Sequence, residues 1–336
     1  MMIREWLFPL SAVVMTWLVW MPLWSWFSAR ALARRRARAR AWADVGSSHT
    51  RALLALPTLG PLLWLISSAC HLLETYPIDE VCLLDEVGQC QEAFMLLGCI
   101  GLMVSSALKQ SVTSHATPAP VRLDADHPLN QRVRALCASN SVLRTLRVEV
   151  VSSSPVPVYT VGWFRPRVVL DACFVEHVDD DMLLSSLCHE RAHVRHRDAL
   201  WHMILKLCLA LNPARALLQN EYMHWRQAIE ARCDQEALEQ GANSLALAQS
   251  LIHATRFECG TSADCAAHFK LTGTSPLSTL KLRLMLLLEG GAPSSRSYGH
   301  VWLASVLCAL LLIPHLSGMN LLDLWHVQIE RVHAFF

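Results

Sequence analysis

Four long runs of apolar residues constrain this chain more than any other feature. Residues 6–27 and 52–73 contain no Asp, Glu, Lys or Arg, and residues 93–108 and 301–316 are shorter runs of the same kind. About 20 apolar residues in a helix suffice to cross the hydrocarbon core of a bilayer. The chain is only 17% charged, whereas a soluble domain is typically about 25% charged. The pattern predicts a mainly α-helical membrane protein with about four transmembrane helices.

The first and the last two runs have alternative interpretations. The run 6–27 is too long for a signal peptide, and no small-residue cleavage site follows it, so we expect it to be retained. The runs 93–108 and 301–316 are short for a crossing, and Pro314 weakens the end of the second. Both could instead be buried core helices.

The charges between the runs predict an orientation. Segment 28–51 is rich in Arg, whereas segment 74–92 is acidic and contains no Lys or Arg. Short loops rich in Lys and Arg stay on the cytoplasmic side. We therefore expect a multi-pass protein of a bacterial inner membrane with its N-terminus outside and residues 110–299 inside. Cys82 and Cys90 then lie in an outer loop, where a disulfide and two free thiols are both open.

The pattern changes after a linker at residues 110–128. A helix is predicted from Leu129 to Ser139, and three short β-rich runs then predict a small antiparallel sheet at residues 146–152, 156–161 and 167–170. Further helices are predicted after the acidic residues 179–181 and over residues 198–211, 216–239, 244–256 and 276–288. Residues 129–296 therefore form an α+β domain between the third and fourth apolar runs.

The pentapeptide His189-Glu190-Arg191-Ala192-His193 lies on the predicted helix that follows the acidic residues. Residues four apart share one face of a helix, so His189 and His193 can bind one metal ion. Glu190 lies beside the metal and can take a proton from a metal-bound water as general base. A catalytic zinc ion keeps three protein ligands and one open position. A third ligand must therefore come from elsewhere in the chain.

The third ligand is predicted on a later helix. His196 and Ala199 occupy the positions where a metzincin has Gly and His, which excludes that class. Glu230 and Asp234 are four residues apart and share a helix face. We expect Glu230 to bind the single zinc ion and Asp234 to accept a hydrogen bond from a ligand histidine, with His189 preferred.

Other residues near the motif have open roles. Asp198 could cap the next helix or anchor the site. Arg226 and Arg232 could stabilise a developing oxyanion or be solvated helix residues. Cys188 is expected to be a small packing residue.

Several segments together resemble the BlaR/MecR-type antirepressor metallopeptidases, and more distantly the HtpX-like and CAAX-prenyl-protease group. These segments are Tyr159 to Leu170, Leu187 to Asp198, the turn Leu211-Asn212-Pro213, and Glu230 to Asp234. The resemblance implies a zincin-like domain of the gluzincin type with His189, His193 and Glu230 as zinc ligands and Glu190 as base. It also implies that a substrate strand adds to a sheet edge formed by Tyr159, Thr160, Val161 and Gly162.

The expected organisation follows the family plan in part. Residues 1–109 are the N-terminal membrane region, 129–296 the cytoplasmic zinc metallopeptidase domain, and 297–336 the fourth crossing with a short outer tail. That tail carries no penicillin-binding sensor and no S-x-x-K motif.

The expected function is that of an integral-membrane zinc endopeptidase in regulatory signalling. Its partners would be the lipid bilayer and a protein or peptide substrate, such as a transcriptional repressor or regulator. A homodimer is left open, and the near-balance of 29 basic and 28 acidic residues indicates no direct nucleic-acid partner. The alternatives are a non-catalytic zinc-bearing signalling scaffold and a quality-control protease for membrane proteins.

Overall fold

The computed structural model describes residues 13–38, 48–75, 98, 100–102, 104–106, 121–154, 156–261 and 276–289. The predictions for the outer loop with Cys82 and Cys90, the linker up to residue 120, the fourth apolar run and the tail lie outside the described residues. So does much of the third apolar run.

The described residues form nine helices and three strands after a short π-helical segment, Thr16–Trp20. In chain order they are α1 (Met21–Arg38), α2 (Ser48–Thr75), α3 (Pro128–Ser139), β1 (Val148–Val151), β2 (Val158–Val161), β3 (Arg167–Asp171), α4 (Ala172–His177), α5 (Asp180–His196), α6 (Asp198–Leu211), α7 (Arg215–Glu239), α8 (Ser244–Thr261) and α9 (Pro276–Glu289). Within residues 128–289 the predicted helices are confirmed with shifts of at most about five residues at their ends, and α4 is an addition.

Helix α1 contains part of the first apolar run, and α2 contains the whole of the second. Helix α1 continues to Arg38, so the first half of the Arg-rich segment is helical. Helix α2 contains Pro57 and Pro61 in its interior. Within the described parts of the chain, none of the helices combines the length and the apolar character that a membrane crossing requires.

The sheet has the order β1-β3-β2 and is mixed, so the prediction of a purely antiparallel sheet was wrong. Strands β2 and β3 form an antiparallel hairpin across the turn Gly162–Pro166, with Val158 opposite Leu170. Strand β1 runs parallel to β3, with Val150 opposite Leu170. The cause is the connection between β1 and β2, which leaves a gap of one strand between them. Strand β3 then pairs with both and becomes the central strand. Short alternating runs predict strands but not the direction in which they pair.

Two apolar clusters hold the helices in place. One lies between the sheet and α5 and includes Leu170, Leu183 and Leu187. The other joins α1, α2, α6 and α7 and includes Leu54 and Trp225. Each large apolar side chain buried in this way contributes about 1.5–3 kcal/mol to stability. Helix α5 packs into both clusters, which fixes it between the sheet and α1, α2, α6 and α7.

Candidate metal centre

Helix α5 positions the two histidines of the pentapeptide. The side chain of Asp179 caps the helix by accepting a hydrogen bond from the Met182 backbone N–H at 2.7 Å. The helix ends at Arg197, whose φ of 52° is left-handed and lets α6 begin at once. The Nε2 atoms of His189 and His193 lie 3.1 Å apart. Two imidazole nitrogens that face each other this closely are suited to a shared cation.

Glu230 on α7 completes a set of three donors. Its Oε2 atom lies 3.6 Å from Nε2 of His189, and its Oε1 atom lies 3.8 Å from Nε2 of His193. Zinc bonds of about 2.0–2.1 Å in a tetrahedron separate neighbouring ligand atoms by about 3.3 Å. The three residues therefore fit a zinc ion in both chemistry and spacing.

Asp234 supports His189 from the side away from the other donors. Its Oδ1 atom lies 2.8 Å from Nδ1 of His189, a close contact that is poorly aligned for a hydrogen bond. Arg283 of α9 donates to both oxygens of Asp234, at 2.7 and 2.6 Å. The same guanidinium lies 3.1 Å from Oε2 of Glu230. Arg283 therefore holds a proposed ligand and a ligand support at once.

The role of Arg283 was not predicted. It lies 49 residues beyond Asp234 in the chain, and it belongs to no motif. The sequence shows only that an arginine lies on an apolar helix. That observation does not indicate which residue the arginine contacts.

Asp198 supports His193 in a similar way. Its Oδ2 atom lies 3.1 Å from Nδ1 of His193 and accepts a hydrogen bond from Arg232 at 2.6 Å. The Cys233 sulfur lies 3.5 Å from the same Nδ1 atom. Asp198 is thus an anchor of the site, and Arg232 binds it. His193, Asp198 and Cys233 lie close enough to hold a metal ion themselves, but Arg232 already supplies the positive charge at Asp198.

The electrostatics of the centre favour a cation at the histidines. Burial lowers the pKa of His189, but its contacts with Asp234 and Glu230 raise that pKa by more. Burial also lowers the pKa of His193, yet Cys233 and Asp198 leave that pKa well above its ordinary value. Burial raises the pKa of Glu230, but Arg283 and the histidines bring it well below its ordinary range. Either protons or a metal ion can meet this demand for positive charge.

Glu190 lies beside the three donors and is buried. Its Oε2 atom accepts a hydrogen bond from the Thr160 hydroxyl at 2.6 Å. Its carboxylate is also close enough to the two histidines to share a metal ion with them. The bond from Thr160 ties one oxygen of Glu190 to the sheet.

The predicted substrate edge corresponds to strand β2 and the turn that follows. Tyr159, Thr160 and Val161 lie in β2, which has a single neighbour in the described sheet. Gly162 has a φ of 96°, and a Cβ atom there would lie 2.8 Å from the Arg165 carbonyl oxygen. Glycine is therefore required to turn the chain into β3.

Two other residues near the motif can be placed in the structure. Cys188 is buried in the cluster beneath the sheet, and burial raises the pKa of its thiol to about 11, as a packing residue requires. His196, which follows the motif, lies 2.7 Å from Glu236 on α7 and outside the donor set.

Comparison with known proteins gives one match. Residues 89–287, more than half of the 336 residues, match the family model described as BlaR1 peptidase M56. The match includes every residue of the centre described above. No curated protein and no solved structure matches the chain.

Proposed function

Because the chain belongs to the BlaR1 peptidase M56 family, we propose that it is an integral-membrane zinc endopeptidase that uses Glu190 as its general base. Members of this family are membrane-associated proteases and are usually metal-dependent. The finer proposal is carried by one observation. His189, His193 and Glu230 converge on one point, with donor separations of 3.1, 3.6 and 3.8 Å, beside a buried glutamate.

His189, His193 and Glu230 would hold the zinc ion. When bound, zinc polarises the scissile carbonyl and makes water a stronger acid. Asp198 accepts the Nδ1 proton of His193, and Asp234 lies 2.8 Å from Nδ1 of His189. Both carboxylates favour a proton on Nδ1 and so leave the Nε2 lone pairs directed inward. Arg283 keeps Glu230 ionised, because a positive charge beside a carboxylate favours its charged form.

Glu190 carries the proton. It takes a proton from the attacking water and passes it to the nitrogen of the leaving amine as the peptide bond breaks. The hydrogen bond from Thr160 holds its carboxylate in one orientation during both transfers. The free edge of β2 would bind the substrate in an extended conformation through backbone hydrogen bonds.

Several surface features support a membrane location. Leu18, Trp20 and Phe27 are 60%, 42% and 54% exposed on the first helical segment. Arg30 stacks over Trp26 at 4.2 Å, where the apolar surface ends. Aromatic residues followed by arginines are typical of the cytoplasmic end of a transmembrane helix. We propose that the chain crosses the membrane several times and that the zinc centre faces the cytoplasm.

The test compares the native protein with Glu190→Gln and Glu230→Gln, all purified in detergent. Elemental analysis should find about one zinc per chain in the native protein and in Glu190→Gln, and much less in Glu230→Gln. Only the native protein should lower the amounts of its target proteins when the three forms are expressed in cells. A native protein without zinc, or a Glu190→Gln form that is fully active, would refute the proposal.

A further inference from the structure

The zinc-site helices share one apolar core with the inner ends of α1 and α2. Ala192, which lies between the two histidines on α5, belongs to the same cluster as Leu54 and Ala55 of α2. Leu32 of α1 belongs to that cluster too, as does Cys233 of α7. Leu54 and Ala55 stand in the first turn of the predicted second crossing, and Leu32 follows the end of the predicted first crossing. The zinc site is therefore not on a separate, tethered domain.

The turn between α6 and α7 is tied to the same two helices by polar contacts. The buried side chain of Asn212 donates to the hydroxyls of Ser25 and Thr58, at 2.9 and 3.2 Å. The Thr58 hydroxyl donates to the Cys208 carbonyl oxygen at 3.0 Å. The Trp17 indole N–H donates to the Leu211 carbonyl oxygen at 2.9 Å. The end of α6 thus reaches a level that lies inside both predicted crossings.

The other end of α6 carries the site. Helix α6 rises by about 1.5 Å per residue, so Asp198 lies about 20 Å from the turn at Asn212. Between them, Trp201 lies beneath the guanidinium of Arg51 at 4.8 Å, and Arg51 directly precedes the predicted second crossing. The zinc site therefore lies at most about one helix diameter, ~10 Å, from the level at which α2 would enter the membrane.

We propose that the substrates are membrane-anchored polypeptides that are cut in the segment next to the inner membrane surface. This inference rests on the proposed function above. Packed helices lie about 8–10 Å apart, and an extended chain advances about 3.3–3.6 Å per residue. A substrate that leaves the membrane beside α1 and α2 would reach the site within about 10 residues of its own transmembrane helix.

The first experiment maps new protein N-termini in cells that carry the native protein or its Glu190→Gln form. We expect the Glu190-dependent termini to lie in membrane proteins, within about 10 residues of the inner end of a transmembrane helix. Termini that lie mainly in soluble proteins, or far from any such helix, would overturn the inference while the peptidase proposal stands. If no terminus depends on Glu190, the proposed function itself fails and this inference fails with it.

The second experiment uses the membrane protein that is cut most strongly. A flexible insert of about 20 Gly and Ser residues is placed between its transmembrane helix and the cut site, where it adds a span of about 25 Å. We expect cleavage to fall at least tenfold. The matched control carries the same insert on the far side of the cut site and should be cut as before. Equal cleavage of both forms would overturn the inference.

Discussion

The two histidines of the metal centre have supports that look alike but come from different parts of the chain. His193 is supported by Asp198 and Arg232, and Asp198 follows His193 by five residues. His189 is supported by Asp234 on α7, which is paired in turn with Arg283 on α9.

Their arginines differ in what else they contact. Arg283 also forms an ion pair with the proposed ligand Glu230, whereas the ion pair of Arg232 is with Asp198. The His193 support is built largely within the α5–α6–α7 unit, while the His189 support is complete only when α9 is docked. The His189 support should therefore respond to changes in α9, and the His193 support should not.

The largest expected effect comes from Arg283→Met. This change leaves the buried carboxylate of Asp234 without its arginine partner, and losing one partner of a buried ion pair costs about 3–5 kcal/mol. We expect a loss of that size in the free energy of unfolding, together with a lower zinc affinity. Denaturant unfolding in detergent and chelator competition measure the two effects.

Two variants check the cause of that loss. The double variant Arg283→Met with Asp234→Leu should recover part of the lost stability, because the buried carboxylate that lost its arginine is removed as well. Arg232→Met provides the comparison at the other support and should leave the contacts of Glu230 intact. If Arg232→Met lowers zinc affinity as much as Arg283→Met does, the two supports are equivalent and the contrast between them is wrong.

The next effect concerns zinc affinity alone. Removing the charge of a carboxylate that supports a ligand histidine typically costs about 10–100-fold in metal affinity. We expect both Asp198→Asn and Asp234→Asn to lie in this range. Asp234→Asn should be the more damaging, because Arg283 then faces an amide and keeps only Glu230 as a charged partner. Chelator competition at fixed pH measures both, and the reverse order would contradict the special role of Arg283.

A separate effect is expected on the base. Thr160→Val keeps the shape of the side chain but removes the hydrogen bond to Glu190. A hydrogen bond to a charged group is worth about 1.5–3 kcal/mol, which corresponds to about 10–100-fold in activity. Zinc content should not change, and Thr160→Ser should restore much of the activity. A drop in zinc content would show that Thr160 supports the metal ligands as well.

The sequence predicted the parts of the site that are local or periodic. The pentapeptide and the Glu230–Asp234 pair each lie on one helix face, so spacing alone brings their members together. The structure also places Asp234 beside His189, the histidine that the sequence analysis preferred as its partner. The role of Arg283 was missed because its side chain meets Asp234 only through the packing of α9 on α7, which no local pattern encodes.

The fold shows the same limit. Within residues 128–241, helix ends were predicted within a few residues because Asp179, Asn212 and Gly241 mark helix boundaries in the sequence itself. The end of the first apolar run did not predict the end of α1, which continues to Arg38. The direction of β1 was not predicted, since the pairing of a short strand depends on where the chain passes after it. A sequence pattern specifies elements well, and it specifies their mutual arrangement only where the connection is as tight as the turn at Gly162.

The smallest effect is expected at Glu236, which joins α7 to α5 without contact to a proposed ligand. It lies 2.7 Å from both Arg195 and His196, and although burial raises its pKa, these partners lower that pKa to about 2. Because Arg195 is 63% exposed, Glu236→Gln should cost only about 1 kcal/mol or less.

The pH dependence gives that prediction its sign. The folded-state pKa is depressed, so the contribution is fully present above the ordinary pKa of 4.5 and is lost as the pH falls through about 2. The difference in unfolding free energy between native protein and Glu236→Gln should therefore shrink as the pH falls from about 4.5 towards 2. Zinc content at neutral pH should be the same in both forms. A marked loss of zinc in Glu236→Gln would show that the contacts of Glu236 with Arg195 and His196 also position the metal centre. Glu236 would then be a third support beside those of His189 and His193.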